Sequence, residues 1–242
     1  MKAAQTYEYV LRATDFDCRR QLLPSAVLGL FQDAAGKHAT ELGVGYDAML
    51  ARKILWVLVR VRYQVEKMPP LYSRVRVTTW PLPSGKASCR RDYLIEDENG
   101  NLYIRGTSDW AFIHSEERRL LPVGDVYPLE VLCSDMAFGD KTRKLPDFEP
   151  QGEAYIVTPG FCDLDMNGHV NNTKYANFVL DAVVPREGEE IDTFQIDFRK
   201  EVMAGSRLSV LSRRGDGEIA AKGLDEDGTV HFVCRMSLKD RP

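Results

Sequence analysis

Ten consecutive residues gather most of the chemically capable groups in this sequence: Asp163-Leu164-Asp165-Met166-Asn167-Gly168-His169-Val170-Asn171-Asn172. Two carboxylates, an imidazole and several carboxamides could together position a water, move its protons and stabilise an oxyanion. They stand directly before a helical pattern, where unpaired N–H groups and the positive end of the helix dipole favour developing negative charge. Asp and Asn are also preferred helix caps, so capping alone accounts for any one of them. Asp163-x-Asp165-x-Asn167-Gly168 matches the start of a calcium loop as well. That match fails at its twelfth position, where a bidentate Glu belongs and Lys174 stands, and no helix precedes it. Calcium is not expected here.

The remaining candidates read as structural. His38 falls on an apolar helical stripe and is expected half-buried and hydrogen-bonded, while His114 and His231 lie in strands without partner spacing. Cys18, Cys89, Cys133, Cys162 and Cys234 lack CxxC spacing, which predicts reduced thiols and no cysteine-only zinc site.

The elements that must position the loop are legible from periodicity. A helix is expected from Pro24 to about Leu42, with Leu28, Phe31, Ala35, His38 and Leu42 on one face and Gly43 and Gly45 ending it. An early strand, about Thr6–Arg12, precedes it. Strict alternation follows from Val57 to Glu66, with Val57, Val59, Val61, Tyr63 and Val65 facing inward. Further strands are expected at Arg74–Thr79, Ala87–Glu96 and Leu102–Ile113, the last two joined by a turn at Asn99-Gly100 where both residues tolerate positive φ. The second half repeats the order: a strand at Ala154–Thr158, the polar loop, a helix over about Val170–Val184, then strands at Thr193–Arg199, Arg207–Ser212, Glu218–Leu224 and Thr229–Leu238. A sheet wrapped around one long helix buries both amphipathic faces. The pattern predicts an α+β tandem double hot-dog: one unit over 1–114, a proline-bearing linker or crossover over 115–153, and a second unit over 154–242. The duplication lies in the order of elements, since the halves share little alignable identity.

Composition narrows the function classes. The 242 residues hold 32 Lys+Arg against 36 Asp+Glu, a formal charge of −4, which argues against a polybasic nucleic-acid binder. No apolar run approaches the length of a membrane span, and no secretory signal opens the sequence. A cytoplasmic protein without membrane insertion is expected.

The segment Asp163–Tyr175 resembles the active-site segment of the fatty acyl-acyl carrier protein (acyl-ACP) thioesterases of plants and bacteria. Trp56-Val57-Leu58, Arg90-Arg91-Asp92-Tyr93, Thr107-Ser108-Asp109-Trp110, Arg118-Arg119-Leu120 and Phe198-Arg199-Lys200-Glu201 agree with that family in order, from about residue 5 to 238. The resemblance puts Asp165, Asn167 and His169 on the family's Asp-x-Asn-x-His positions and Glu201 on its acidic residue. Many plant members have a cysteine right after that Glu; here the position is Val202, so the resemblance implies direct hydrolysis by an activated water, without metal or organic cofactor. It further implies an acyl pocket in the first unit, catalytic residues in the second, and acyl carrier protein as partner, with a monomer or homodimer both compatible. The residues leave open whether Asp165 orients its neighbours or attacks the carbonyl, with orientation favoured. An acidic carrier would dock on cations drawn from Arg90, Arg91, Arg118, Arg119, Lys141, Arg143, Lys144, Lys174, Arg199, Lys200, Arg213 and Arg214. The rivals are an acyl-CoA thioesterase, for which no nucleotide-recognising feature is evident, and a non-catalytic acyl-binding hot-dog protein.

Overall fold

Val75, Val77 and Thr79 are fully buried, while Arg74, Arg76 and Thr78 between them are not, so β3 (Arg74–Leu82) turns alternate side chains to the core. The computed structural model describes residues 3–83, 85–86, 88–128, 132–215 and 217–240. The chain divides into two compact units, Met1–Leu22 with Gly29–Thr142, and Leu23–Leu28 with Arg143–Pro242.

In the first unit the elements are β1 (Gln5–Val10), the greater part of α1 (Pro24–Glu41), α2 (Tyr46–Ala51), β2 (Ile54–Val65), β3, β4 (Cys89–Glu96), β5 (Leu102–His114) and the short β6 (Leu120–Leu121). The antiparallel order is β1-β3-β4-β5-β2. In the second they are β7 (Gln151–Val157), α3 (Asn172–Val183), β8 (Glu189–Phe198), β9 (Leu208–Gly215), β10 (Glu218–Leu224) and β11 (Val230–Asp240). Their order, β7-β9-β10-β11-β8, is that of the first unit strand for strand. Each unit is a hot-dog, and the chain is a double hot-dog.

Helix α1 packs its Phe31, Ala34, Ala35, His38 and Ala39 face, spaced three and four apart, onto its sheet. The Phe31 ring stacks on Tyr93 of β4 at 4.2 Å. It also lies against Gly106 of β5, where an added Cβ would sit 2.2 Å from the ring. Gly106→Ala is therefore expected to overpack the core, at about 1–3 kcal/mol. In a chain of this size each kcal/mol is worth roughly 2–4 °C of Tm. Thermal unfolding checks it: an unchanged Tm refutes the contact, and adding Phe31→Leu should recover part of the loss, because the two positions share one space. In the second unit Tyr175 meets Phe198 and Phe232 edge-on at 5.4 and 5.3 Å, and Gly223 makes room for the Phe232 ring, 2.1 Å from a hypothetical Cβ.

The structure departs from periodicity in three places. The helical signal ends at Gly43 as expected, but α2 follows, and Gly45 is needed there because a Cβ would strike Thr40 Oγ1 at 2.4 Å. A bulge between Leu58 and Arg60 shifts the inward face of β2, so Val61, Tyr63 and Val65 are buried but upstream it is Leu58, not Val57 or Val59. At Asn99-Gly100 only Gly100 has positive φ, +86°. The Asp97 side chain shapes that turn instead, accepting the Asn99 and Asn101 amides at 2.8 Å each.

The segment read as linker or crossover is tied down at both ends. Within the first unit Ala137 N donates to Asp92 Oδ2 at 2.7 Å, and Arg62 bonds Asp140 and covers the Phe138 ring. Within the second, Leu145 N donates to the buried Asp197 at 2.8 Å, and Leu145 and Phe148 pack on Ala220 and Val233. No helix among the described residues is long and apolar enough to cross a membrane.

Candidate active site

The polar loop is built by one carboxylate. Asp165 Oδ1 accepts from the Asn167 amide at 2.8 Å and the His169 amide at 3.3 Å. Asp165 N donates to His169 O at 2.8 Å and Gly168 N to Asp165 O at 3.1 Å, which closes a five-residue loop. The reversal needs φ +77° at its fourth position, and Gly168 supplies it without steric cost. An isolated bridge, Leu164 with Val170, clasps the base. Helix α3 then starts at Asn171, whose Oδ1 accepts from Thr173 N at 2.9 Å and Thr173 Oγ1 at 2.8 Å. The capping role thus falls to Asn171, which leaves Asn167 exposed and His169 half-buried ahead of the helix. Asp163 pairs with Lys174 at 3.4 Å and caps the Gly160 amide at 2.9 Å, so the residue that breaks the calcium-loop pattern supplies an ammonium where a ligand would be needed. Among the described residues no group of three or more His, Cys, Asp or Glu side chains is placed to hold a metal ion.

Glu201 comes to this loop from the far end of β8. His169 Nε2 and Glu201 Oε2 stand 3.5 Å apart, with side chains 24% and 37% exposed, so the pair is open to water and substrate. Glu201 lies beyond the last ladder residue of β8, and other bonds hold its backbone. Val170 N donates to Val202 O at 2.8 Å. The Val202 amide bonds the phenol of Tyr175, a group that burial pushes up in pKa. Val202 is wholly buried and contributes through its backbone.

The structure adds a residue that strand periodicity set aside. The His231 ring is buried, its Nδ1 at 3.1 Å from Glu201 O and 3.3 Å from Lys200 O, its Nε2 at 3.0 Å from Asp225 Oδ2. All three partners are oxygens that can accept a hydrogen bond from the ring. The hydrogen bond from His231 leads the contacts that hold the Asp225 carboxyl down at about 2. Asp225 Oδ1 meanwhile accepts the Asp227 and Thr229 amides at 3.1 and 2.8 Å. The sequence does carry a trace of this device: Asp-x-x-Gly stands at 97–100, 165–168 and 225–228, where the Asp folds its own loop, whereas the same spacing at 33–36 lies within helix α1.

The first unit holds the counterpart of the polar loop. Asp17 Oδ1 accepts the Arg19 and Gln21 amides at 2.8 and 2.9 Å, Asp17 N donates to Gln21 O at 2.8 Å, and Phe16 bridges Leu22 as Leu164 bridges Val170. Arg20, at φ +63°, stands where Gly168 does. Asp165, Asn167 and His169 thus correspond to Asp17, Arg19 and Gln21. The Glu66 and Lys67 amides both donate to Tyr103 O, at 2.9 and 3.1 Å, as the Arg199 and Lys200 amides do to His231 O, at 2.8 and 3.2 Å. Glu201 therefore corresponds to Met68 and His231 to Tyr103. The bond pattern is duplicated although the side chains are not.

His38 is buried rather than half-buried and bonds Arg91 through Nδ1 at 3.0 Å. Arg90 and Arg91 are themselves buried, 7% and 3% exposed, which removes them from the surface cations. Their guanidinium groups are spent inside the first unit, on Thr107 and on Thr79 and Tyr127. Arg199 and Lys200 are exposed next to Glu201.

The chain is similar to the palmitoyl-acyl carrier protein thioesterase of Cuphea hookeriana, 30% identical over 220 residues that make up 84% of this chain and 53% of that protein. It thus spans about half the length of the curated relatives it matches. Among solved structures it is similar to the 12:0-ACP thioesterase of Umbellularia californica, with TM-score 0.88 and 26% identity over 100% of this chain and 99% of that one. An acyl-ACP thioesterase from Bacteroides thetaiotaomicron, at 22% identity over 98% of each chain, shares the fold with TM-score 0.86. Residues 2–128 match the model of the acyl-ACP thioesterase N-terminal domain and residues 150–237 that of the C-terminal domain, so the chain belongs to the acyl-ACP thioesterase family.

Proposed function

We propose that this protein hydrolyses fatty acyl-ACP thioesters to free fatty acid and the carrier's thiol, acting in the cytoplasm to end chain elongation, with Asp165, Asn167, His169 and Glu201 as its site. The observation that carries the reading is the open His169–Glu201 pair, 3.5 Å apart at the entrance of α3, in a chain of this family. A water between imidazole and carboxylate gives its proton to the pair as its oxygen attacks the thioester carbonyl. The Asn167 carboxamide and the N-terminal end of α3 stabilise the oxyanion. Collapse breaks the C–S bond, and the proton passes to the departing thiolate. Asp165 holds the loop that presents Asn167 and His169. Unit one, with its aromatic cluster of Trp56, Trp110, Phe112 and Tyr127, receives the acyl chain. Arg199 and Lys200 offer an acidic carrier positive charge beside Glu201. All five cysteines are free thiols, which suits a reducing compartment.

Thiol release from matched acyl-ACP and acyl-CoA panels tests the reading. Faster turnover of acyl-ACP supports it, preference for acyl-CoA moves the substrate class, and binding without turnover of either leaves an acyl-binding protein.

A further inference from the structure

We infer that His231, braced by Asp225, is a positioning residue that fixes Glu201 opposite His169; this rests on the reading of Glu201 as part of the hydrolytic site. Glu201 stands three residues past the last ladder pair of β8, Phe198 with Phe232, and the chain around it is held by bonds to other elements. One side is held by Val170 N and Tyr175, through Val202. The other is held by the His231 ring, which reaches the carbonyls of both Lys200 and Glu201. A ring 6% exposed and anchored at its far nitrogen by a carboxylate has little freedom, so its hold on those carbonyls is stiff.

The first unit serves as an internal control. It keeps the main-chain bonds at the end of β2, where Glu66 and Lys67 donate to Tyr103 O, and it keeps Asp97 to fold the β4–β5 turn. The fold needs those. What it does not keep is the imidazole: Tyr103 stands at that position where Met68 replaces the acidic residue. In the first unit Asp97 Oδ2 takes up the Asn101 carboxamide, whereas in the second Asp225 Oδ2 holds His231. The His–Asp pair is present in the unit that has a carboxylate to place and absent from the one that has none.

The test uses steady-state hydrolysis of an acyl-ACP by the full chain carrying His231→Gln, Asp225→Asn, Glu201→Gln and the His231→Gln/Glu201→Gln pair. His231→Gln should lower kcat about tenfold, as displacement of a reacting group does, with KM within about twofold. In the Glu201→Gln background the same change should cost less than about twofold, since the group it positions is gone. Asp225→Asn keeps an oxygen for the loop amides and should lower kcat in the same direction by a smaller factor. Amide hydrogen exchange supplies a readout independent of activity: both variants should speed exchange at residues 201 and 202 and leave β9 and β10 unchanged. Equal losses in both backgrounds, a loss expressed in KM alone, or unchanged exchange at 201 and 202 would overturn the positioning role. If Glu201→Gln itself keeps wild-type kcat, the reading of Glu201 fails instead, and the positioning role falls with it.

Discussion

His169→Ala should lower kcat for the proposed acyl-ACP hydrolysis by about 10²–10⁴, the range that general acid–base help supplies. The ring is half-buried at the head of α3, and its backbone, not its side chain, carries the bonds that close the loop. Truncating it removes the imidazole without opening the core, so Tm should stay close to wild type. Glu201→Gln should cost a similar factor, because in the proposed mechanism the carboxylate and the imidazole, 3.5 Å apart, act on one water. The double variant should then fall well short of the product of the two single losses, as groups that work as a unit do. Thiol release on purified variants, with thermal unfolding alongside, decides the matter. A His169→Ala enzyme within tenfold of wild type would remove the imidazole from the reaction. Multiplying losses would separate the two groups into independent steps.

The fold was legible because several strands state their own face. Val61, Tyr63 and Val65 alternate as half-buried strands must, and the three-and-four spacing of Phe31, Ala35 and His38 could only be helical. The order of those elements was enough to expect two hot-dog units. Periodicity says which face is buried but not what lies across from it. That is why the bulge at Leu58 and helix α2 went unread, and why Arg90 and Arg91 passed for surface charge although they serve buried threonines and a tyrosine. The same limit applied to the candidate site. The loop from Asp163 to Asn172 is local and announced itself by composition. The approach of Glu201 to it depends on β8 pairing with β11, and the grip of His231 depends on the turn at Asp225. The duplication was visible only in element order because the two units share bonds rather than residues. Asp17 and Asp165 fold identical loops around otherwise different side chains.

That identity predicts how Asp165 behaves on substitution. Asp165→Asn should keep kcat within about tenfold of wild type, whereas Asp165→Ala should lose about 10²-fold, the cost of misplacing reacting groups by about an ångström. An asparagine Oδ1 can accept the same two amides, at positions 167 and 169, and needs no charge to do so. It gives up only the extra strength of a charge-assisted bond. Alanine removes the acceptor, leaves both amides unpaired and frees the loop that presents Asn167 and His169. The first unit shows that the carboxylate has this duty where no chemistry accompanies it. Asp17 accepts the Arg19 and Gln21 amides at 2.8 and 2.9 Å, beside an arginine and a glutamine in place of Asn167 and His169. If Asp165 instead attacked the carbonyl, an amide could not replace it, and Asn and Ala would be equally inactive. Single turnover in H₂¹⁸O separates the two cases again. Direct attack by water places the label in the fatty acid alone, whereas hydrolysis of an acyl-aspartate at its protein-side carbonyl leaves it in Asp165. Loss of activity in Asp165→Asn together with labelled Asp165 would make this residue the nucleophile, and would leave Asp17 as the relic of a reaction rather than of a loop.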